Sequence, residues 1–131
     1  ISNTHNLTIN ELFSKGEQYF RDIEYTELRK HISKENIIVA VGGGAVTYKE
    51  SFNLLSSQSC IYLKTSKNIL LNRLQDDNTR PLLNVENKEE VLDKIMHQRE
   101  QKYQTLCNYE MLTDNMSIQE NCNKIMEMIN V

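Results

Sequence analysis

The chain has 131 residues, the size of one domain and enough to bury a core. Its 39% hydrophobic and 25% charged residues are those of a soluble globular protein, and no run approaches the roughly 18 apolar residues of a membrane span. The net charge of −3, with no block of Lys or Arg, excludes nucleic acid and anionic membrane as the expected partners. Cys60, Cys107 and Cys122 are odd in number and fit no metal spacing, so they read as reduced thiols of a cytoplasmic protein. We expect no signal peptide. The chain opens on Ile1 rather than Met, which leaves a processed N-terminus or a fragment as the two readings.

Three helix starts carry the capping-box pattern, a hydroxyl followed three residues later by Glu: Thr8/Glu11, Thr47/Glu50 and Ser117/Glu120. They predict helices over about 9–15, 48–57 and 118–130. A longer helix is expected from about Glu17 to Ile32. Ser66 is expected to cap one running through Leu70, Leu71 and Leu74, and Asn87 one from Lys88 to about Asn108. Three near-continuous apolar runs, Asn36 to Val41, Cys60 to Leu63 and Tyr109 to Leu112, read as buried strands of a parallel sheet. Strands alternating with helices make this an α/β fold. The only proline, Pro81, lies in a polar stretch expected to be a surface loop over about 76–87, long for a compact domain and of the kind that serves as a lid.

Three of the four glycines stand together as Gly42-Gly43-Gly44, after an expected strand and before an expected helix. Glycine permits positive φ and lets another group approach the backbone. The C-terminal end of a parallel strand is where α/β sheets bind ligands. A plain tight turn is the alternative, though it needs fewer glycines. The run is not a phosphate-binding loop, since no G-x-x-x-x-G-K-[ST] pattern occurs.

Arg99 falls on the apolar stripe of its helix, among Leu92, Ile95, Met96, Tyr103 and Leu106. An inward charge there must be paired, snorkel to solvent or bind an anion. Arg21 stands between Phe20 and Ile23, with Glu24 one turn on, a spacing that a surface ion pair also explains. Arg80 precedes Pro81 in the loop; a loop arginine is commonly just solvated, but in a lid it is a candidate clamp on a transferring phosphoryl group. His5, His31 and His97 have no supporting constellation, and no metal ligand is assigned.

Taken together, Gly16-Glu17…Phe20-Arg21…Glu24, Gly42-Gly43-Gly44, Arg80-Pro81-Leu82-Leu83 and Arg99…Tyr103 resemble the shikimate kinase family in order and spacing. The resemblance runs from about Thr8 onward. It implies a three-layer α/β/α P-loop fold with a parallel sheet of strand order 2-3-1-4-5. It also implies transfer of the γ-phosphoryl of ATP to the 3-hydroxyl of shikimate, with Mg²⁺, in a cytoplasmic monomer. By that resemblance Arg21 and Arg99 grip the shikimate carboxylate, Glu24 orients Arg21, and Gly42, Gly43 and Gly44 approach the substrate. Arg80 closes over the ATP phosphates as the catalytic arginine of the lid. Arg73, Asp114 and Asn115 lie on the adenine side.

The family's first strand, phosphate loop, first helix and second strand, with the aspartate that follows, have no counterpart in these residues. The expectation is therefore a single domain over 1–131, truncated at its N-terminus, poorly folded and inactive when alone. A gluconate kinase-like enzyme and a non-catalytic remnant acting as a binding module are the alternatives.

Overall fold

Two of the three expected strands form in the structure, a computed structural model that describes residues 1–130. They are β1 (Ile61–Lys64) and β2 (Tyr109–Leu112). The two are parallel neighbours, Ile61 opposite Tyr109 and Lys64 opposite Leu112. A parallel pair needs a long crossover, supplied here by α5 (Lys67–Leu74) and α6 (Lys88–Leu106). Both ends of the ladder are tied off. Asn108 donates its N–H to the Cys60 carbonyl and accepts the Cys60 N–H on its side-chain oxygen, each at 2.8 Å. The Thr113 N–H donates to the Lys64 carbonyl at 2.8 Å, and the Thr65 and Thr113 hydroxyls share a hydrogen bond of 2.7 Å. Met111 of β2 is 2% exposed, and helices flank the pair, so the α/β class holds.

The run Asn36 to Val41 is not a strand. Asn36 takes a left-handed φ of 57°, and the backbone beyond it makes no ladder hydrogen bond among the described residues. Ile38 is fully exposed, and Ile37, Val39 and Val41 are 42%, 39% and 40% exposed. Apolar side chains suit a residue to a sheet interior, but a strand exists only through the N–H and C=O groups of a neighbour. No strand lies beside this run among the described residues, and the sheet has two strands rather than the family's five.

The helices follow their local signals with instructive exceptions. Thr8 and Ser117 form complete capping boxes on α2 (Ile9–Ser14) and α7 (Ile118–Met128). The third expected box does not form. The Thr47 hydroxyl instead donates to the Gly44 carbonyl at 2.7 Å, within a 3-10 turn (Ala45–Thr47), and α4 (Lys49–Leu55) starts from Tyr48. A hydroxyl this close to a turn carbonyl is drawn away from the helix end. Ser66 and Asn87 do occupy the N-cap positions of α5 and α6, but their side chains bond Asp114 and Glu90 rather than the helix backbone. The helix α3 (Glu17–Ile32) has the expected bounds. One turn, α1 (Ser2–His5), had no sequence signal. On α6, Leu92 is buried and Ile95, Met96, Arg99, Tyr103 and Leu106 are half-buried, as the stripe predicts. No described helix is long and apolar enough to cross a membrane.

The segment 76–87 contains a second 3-10 turn (Pro81–Leu83) that rests against α2 and α6. Its two ends are stapled together. Lys88, the first residue of α6, donates from Nζ to the carbonyls of Leu74 at 2.6 Å, Asp77 at 3.2 Å and Gln75 at 3.3 Å. A lysine on the terminal carbonyls of α5 also suits the helix dipole.

Candidate substrate-binding site

The site begins on α3. Arg21 and Glu24, three residues apart, are 6% and 9% exposed, so their pairing is buried and not the surface ion pair that the spacing also allows. Arg21 Nη1 donates to Glu24 Oε1 at 2.8 Å, and Nη2 reaches Glu17 Oε1 at 3.4 Å. The guanidinium lies over the rings of Phe20 and Phe13, 5.3 and 5.5 Å from their centroids. Its Nε is buried and has no partner among the described residues. Burial pushes the Glu24 carboxyl above the usual carboxylate range, opposed by the positive charges of Arg21 and then Arg99.

The glycine run packs onto this pair. Gly16 alone among the glycines has positive φ, so the three glycines are not required by backbone conformation. Close approach requires them. A Cβ on Gly42 would sit 3.2 Å from Glu24 Oε2, and one on Gly43 would sit 2.9 Å from Tyr103 Oη and 3.9 Å from Arg99 Nη1. A Cβ on Gly44 would overlap Arg21 Nη2 and lie 2.5 Å from Cζ. Each glycine therefore clears room for a different side chain of one cluster. All three carbonyls are occupied. Gly42 accepts from the Ala45 N–H at 3.1 Å, Gly43 from the Tyr103 hydroxyl at 2.6 Å, and Gly44 from the Thr47 N–H at 3.0 Å as well as its hydroxyl. None of the three glycine N–H groups donates to a protein acceptor among the described residues. The loop thus carries three N–H groups without a protein acceptor, those of exposed Gly42 and Gly43 and of buried Gly44.

On α6, Arg99 is half-buried, its Nε is buried without a partner, and no carboxylate pairs with it among the described residues. The loop is held in place from α3 as well, because Tyr48 donates its hydroxyl to Asp22 at 2.6 Å. That bond pushes the Tyr48 phenol up to about 12. Two guanidinium groups beside free backbone donors suit a planar carboxylate that carries further oxygens.

The remaining candidates lie elsewhere. The Arg80 side chain is 68% exposed, and its Nε pairs with Asp77 Oδ2 at 3.7 Å. Hydrogen bonds from the Thr79 hydroxyl and N–H, with a smaller contribution from Arg80, hold Asp77 below its usual range. Asp114 accepts from the Ser66 hydroxyl and N–H, which lower its carboxyl, with Arg73 contributing less. Both Asp114 oxygens are therefore committed to joining the end of β2 to the start of α5. Asn115 takes a left-handed φ of 58° in the turn that follows. Asp114 and Asn115 follow β2 at its C-terminal end, Arg73 lies in the last turn of α5, and Arg80 pairs with Asp77 and with no residue of the Arg21–Glu24 pair among the described residues.

The shikimate kinase family model matches residues 1–130. The chain belongs to the shikimate kinase family. A shikimate kinase of Caldicellulosiruptor saccharolyticus is 36% identical over 124 residues, which are 93% of this chain and 72% of the relative. One of Vibrio parahaemolyticus is 34% identical over 116 residues, 88% of this chain and 67% of the relative. A solved structure of the Acinetobacter baumannii shikimate kinase in complex with shikimate has a TM-score of 0.94 at 30% identity, covering 98% of this chain and 73% of that one. Shikimate kinases are ATP-dependent phosphotransferases, which sets aside a gluconate kinase-like assignment.

Within this shikimate kinase chain, the sequence pattern brought out Arg21, Glu24, the glycines and Arg99, and the fold gathers all of them. Two members of the cluster stood in the quoted motifs but were given no role. Glu17 is the second carboxylate on Arg21, legible as an i,i+4 neighbour. Tyr103 was placed on the stripe one turn after Arg99, but nothing local indicates that its hydroxyl reaches Gly43, 60 residues away in the chain.

Proposed function

We propose that these residues form the acceptor side of a shikimate kinase, which holds shikimate with its 3-hydroxyl toward the γ-phosphoryl of ATP. One observation carries the reading. Arg21 and Arg99 each keep a buried Nε without a partner among the described residues, Arg21 packs against Gly44, Arg99 Nη1 lies 3.9 Å from where a Cβ on Gly43 would sit, and the glycine N–H groups have no protein acceptor among those residues. The guanidinium groups grip the carboxylate, and the Gly42–Gly44 amides take the ring oxygens. Glu24 holds Arg21 in its fork-shaped orientation and contacts substrate. The shikimate bound in the Acinetobacter enzyme supports the same ligand here.

Arg80 is the lid arginine, carried by the 76–87 loop over the ATP phosphates, where its charge offsets the charge developing in transfer. Arg73, Asp114 and Asn115 form the adenine side. Mg²⁺ would enter with ATP and would offset the negative charge of its phosphate groups. Among the described residues no three His, Cys, Asp or Glu side chains come together. No G-x-x-x-x-G-K-[ST] pattern occurs in residues 1–131. The protein acts as a cytoplasmic monomer with one domain and one lid.

Calorimetric titration of the intact protein with shikimate and with ATP tests the assignment. Arg99→Lys and Arg21→Lys lose the paired donors, which should cost about 2–5 kcal/mol, roughly 30-fold or more in Kd for shikimate, while ATP binding is kept. Wild-type shikimate affinity in both variants, or phosphorylation of gluconate in preference to shikimate, would remove the carboxylate-clamp reading.

A further inference from the structure

We propose that Tyr103 is a positioning residue of the acceptor site: its hydroxyl holds the Gly43 carbonyl and so aims the Gly44 amide at the substrate. The inference rests on the shikimate site proposed above. The three glycine carbonyls are held in different ways. Those of Gly42 and Gly44 are taken by neighbours in the adjoining 3-10 turn, Ala45 and Thr47. The Gly43 carbonyl has no local partner. It is held at 2.6 Å by Tyr103, from a different helix.

A peptide between two glycines has little intrinsic preference for one orientation. With no cis peptide in the chain, the Gly43 carbonyl and the Gly44 N–H point in opposite directions. Fixing the carbonyl toward α6 therefore fixes the N–H on the side away from α6. Gly44 is also the residue packed against the Arg21 guanidinium. Gly44 therefore adjoins the Arg21 arm of the proposed clamp.

The phenol is itself well placed to act as a fixed point. Tyr103 stands one turn beyond Arg99, and its ring packs on Tyr62 of β1 with centroids 5.0 Å apart at 37°. The sheet, α6 and the glycine loop thus meet at one side chain. The room beneath the hydroxyl is limited, since a Cβ on Gly43 would lie 2.9 Å from Tyr103 Oη. Glycine at 43 and tyrosine at 103 are in this sense a matched pair. Pre-aimed donors bind more tightly because less ordering is left to the binding step.

The test is steady-state kinetics on the intact protein carrying Tyr103→Phe, which keeps the ring on Tyr62 and deletes only the hydroxyl. The KM for shikimate should rise about three- to tenfold, the worth of one net hydrogen bond. The KM for ATP and the melting midpoint should stay near wild type. Gly43→Ala, which pushes the hydroxyl off the carbonyl, should raise the shikimate KM less in the Tyr103→Phe background than in wild type. Two results overturn the inference while leaving the site intact: an unchanged shikimate KM in Tyr103→Phe while Arg99→Lys still weakens shikimate binding, or strictly additive effects of Gly43→Ala and Tyr103→Phe. A parallel loss of both KM values and of melting midpoint would make Tyr103 merely structural and overturn it too. If Tyr103→Phe and Arg99→Lys both leave shikimate affinity unchanged, the site reading fails and takes this inference with it.

Discussion

Replacing Gly44 with alanine tests how closely the glycine loop is built onto the Arg21–Glu24 pair. The backbone at Gly44 is right-handed helical, φ −83° and ψ −12°, so alanine is tolerated conformationally and the whole cost is steric. The new methyl would overlap Arg21 Nη2 and lie 2.5 Å from Cζ and 2.7 Å from Nη1. Ordinary carbon contacts begin near 3.5 Å, so the guanidinium must move by about 1 Å or more. A shift of that size takes the 2.8 Å bond from Nη1 to Glu24 out of hydrogen-bond range.

Breaking a buried pair by deleting one member costs about 3–5 kcal/mol. Arg21 is not deleted here, and it can swing toward Glu17, whose side chain is 48% exposed. The expected loss is therefore smaller, about 2–3 kcal/mol, or roughly 6–12 °C in melting midpoint for a domain of this size. Shikimate affinity should fall with it if the displaced guanidinium is, as proposed, one arm of the clamp. Thermal melts followed by circular dichroism, with calorimetric titration of shikimate, measure both. Gly16→Ala is the control. Its φ of +112° makes alanine strained, yet a Cβ there meets nothing within 4 Å. It should cost about 1–3 kcal/mol of stability while leaving shikimate affinity unchanged. A Gly44→Ala protein with wild-type midpoint and affinity would refute the close-approach account of the glycine run.

Glu24 sets a pH dependence. Its folded carboxyl holds the proton more strongly than the unfolded one, since burial outweighs Arg21 and Arg99. Its contribution to stability is fully present below the ordinary carboxylate range and is lost as pH rises through the raised folded value. Glu24→Gln should flatten that part of the stability–pH profile, and an unchanged slope on melting across that range would assign it to other groups. Under the proposed lid role, Arg80→Ala, which removes a side chain that is 68% exposed, should depress kcat in the intact protein with shikimate binding kept. Surviving kcat with a lowered melting midpoint would make Arg80 structural.

The sequence by itself determined what short-range hydrogen bonds and periodicity decide. Thr8 and Ser117 cap their helices because donor, acceptor and glutamate lie within one turn, and nothing nearby competes. The bounds of α3, the stripe that turns Arg99 inward and the strands at 61–64 and 109–112 belong to the same class. So do the motif set that marks the family and the lack of a phosphate-loop pattern. Tertiary structure decided whatever depends on a distant partner. The apolar run at 36–41 has the composition of a strand, but only a neighbouring backbone can make it one. Thr47 and Ser66 carry capping side chains, but the Gly44 carbonyl and the Asp114 carboxylate take their hydroxyls. Arg21 and Glu24 have the spacing of a surface pair, and it is the packing of the glycine loop and two phenylalanine rings that buries them. The hold of Tyr103 on Gly43 joins residues 60 apart in the chain, a contact that no local pattern encodes and that exists only once α6 lies against the loop.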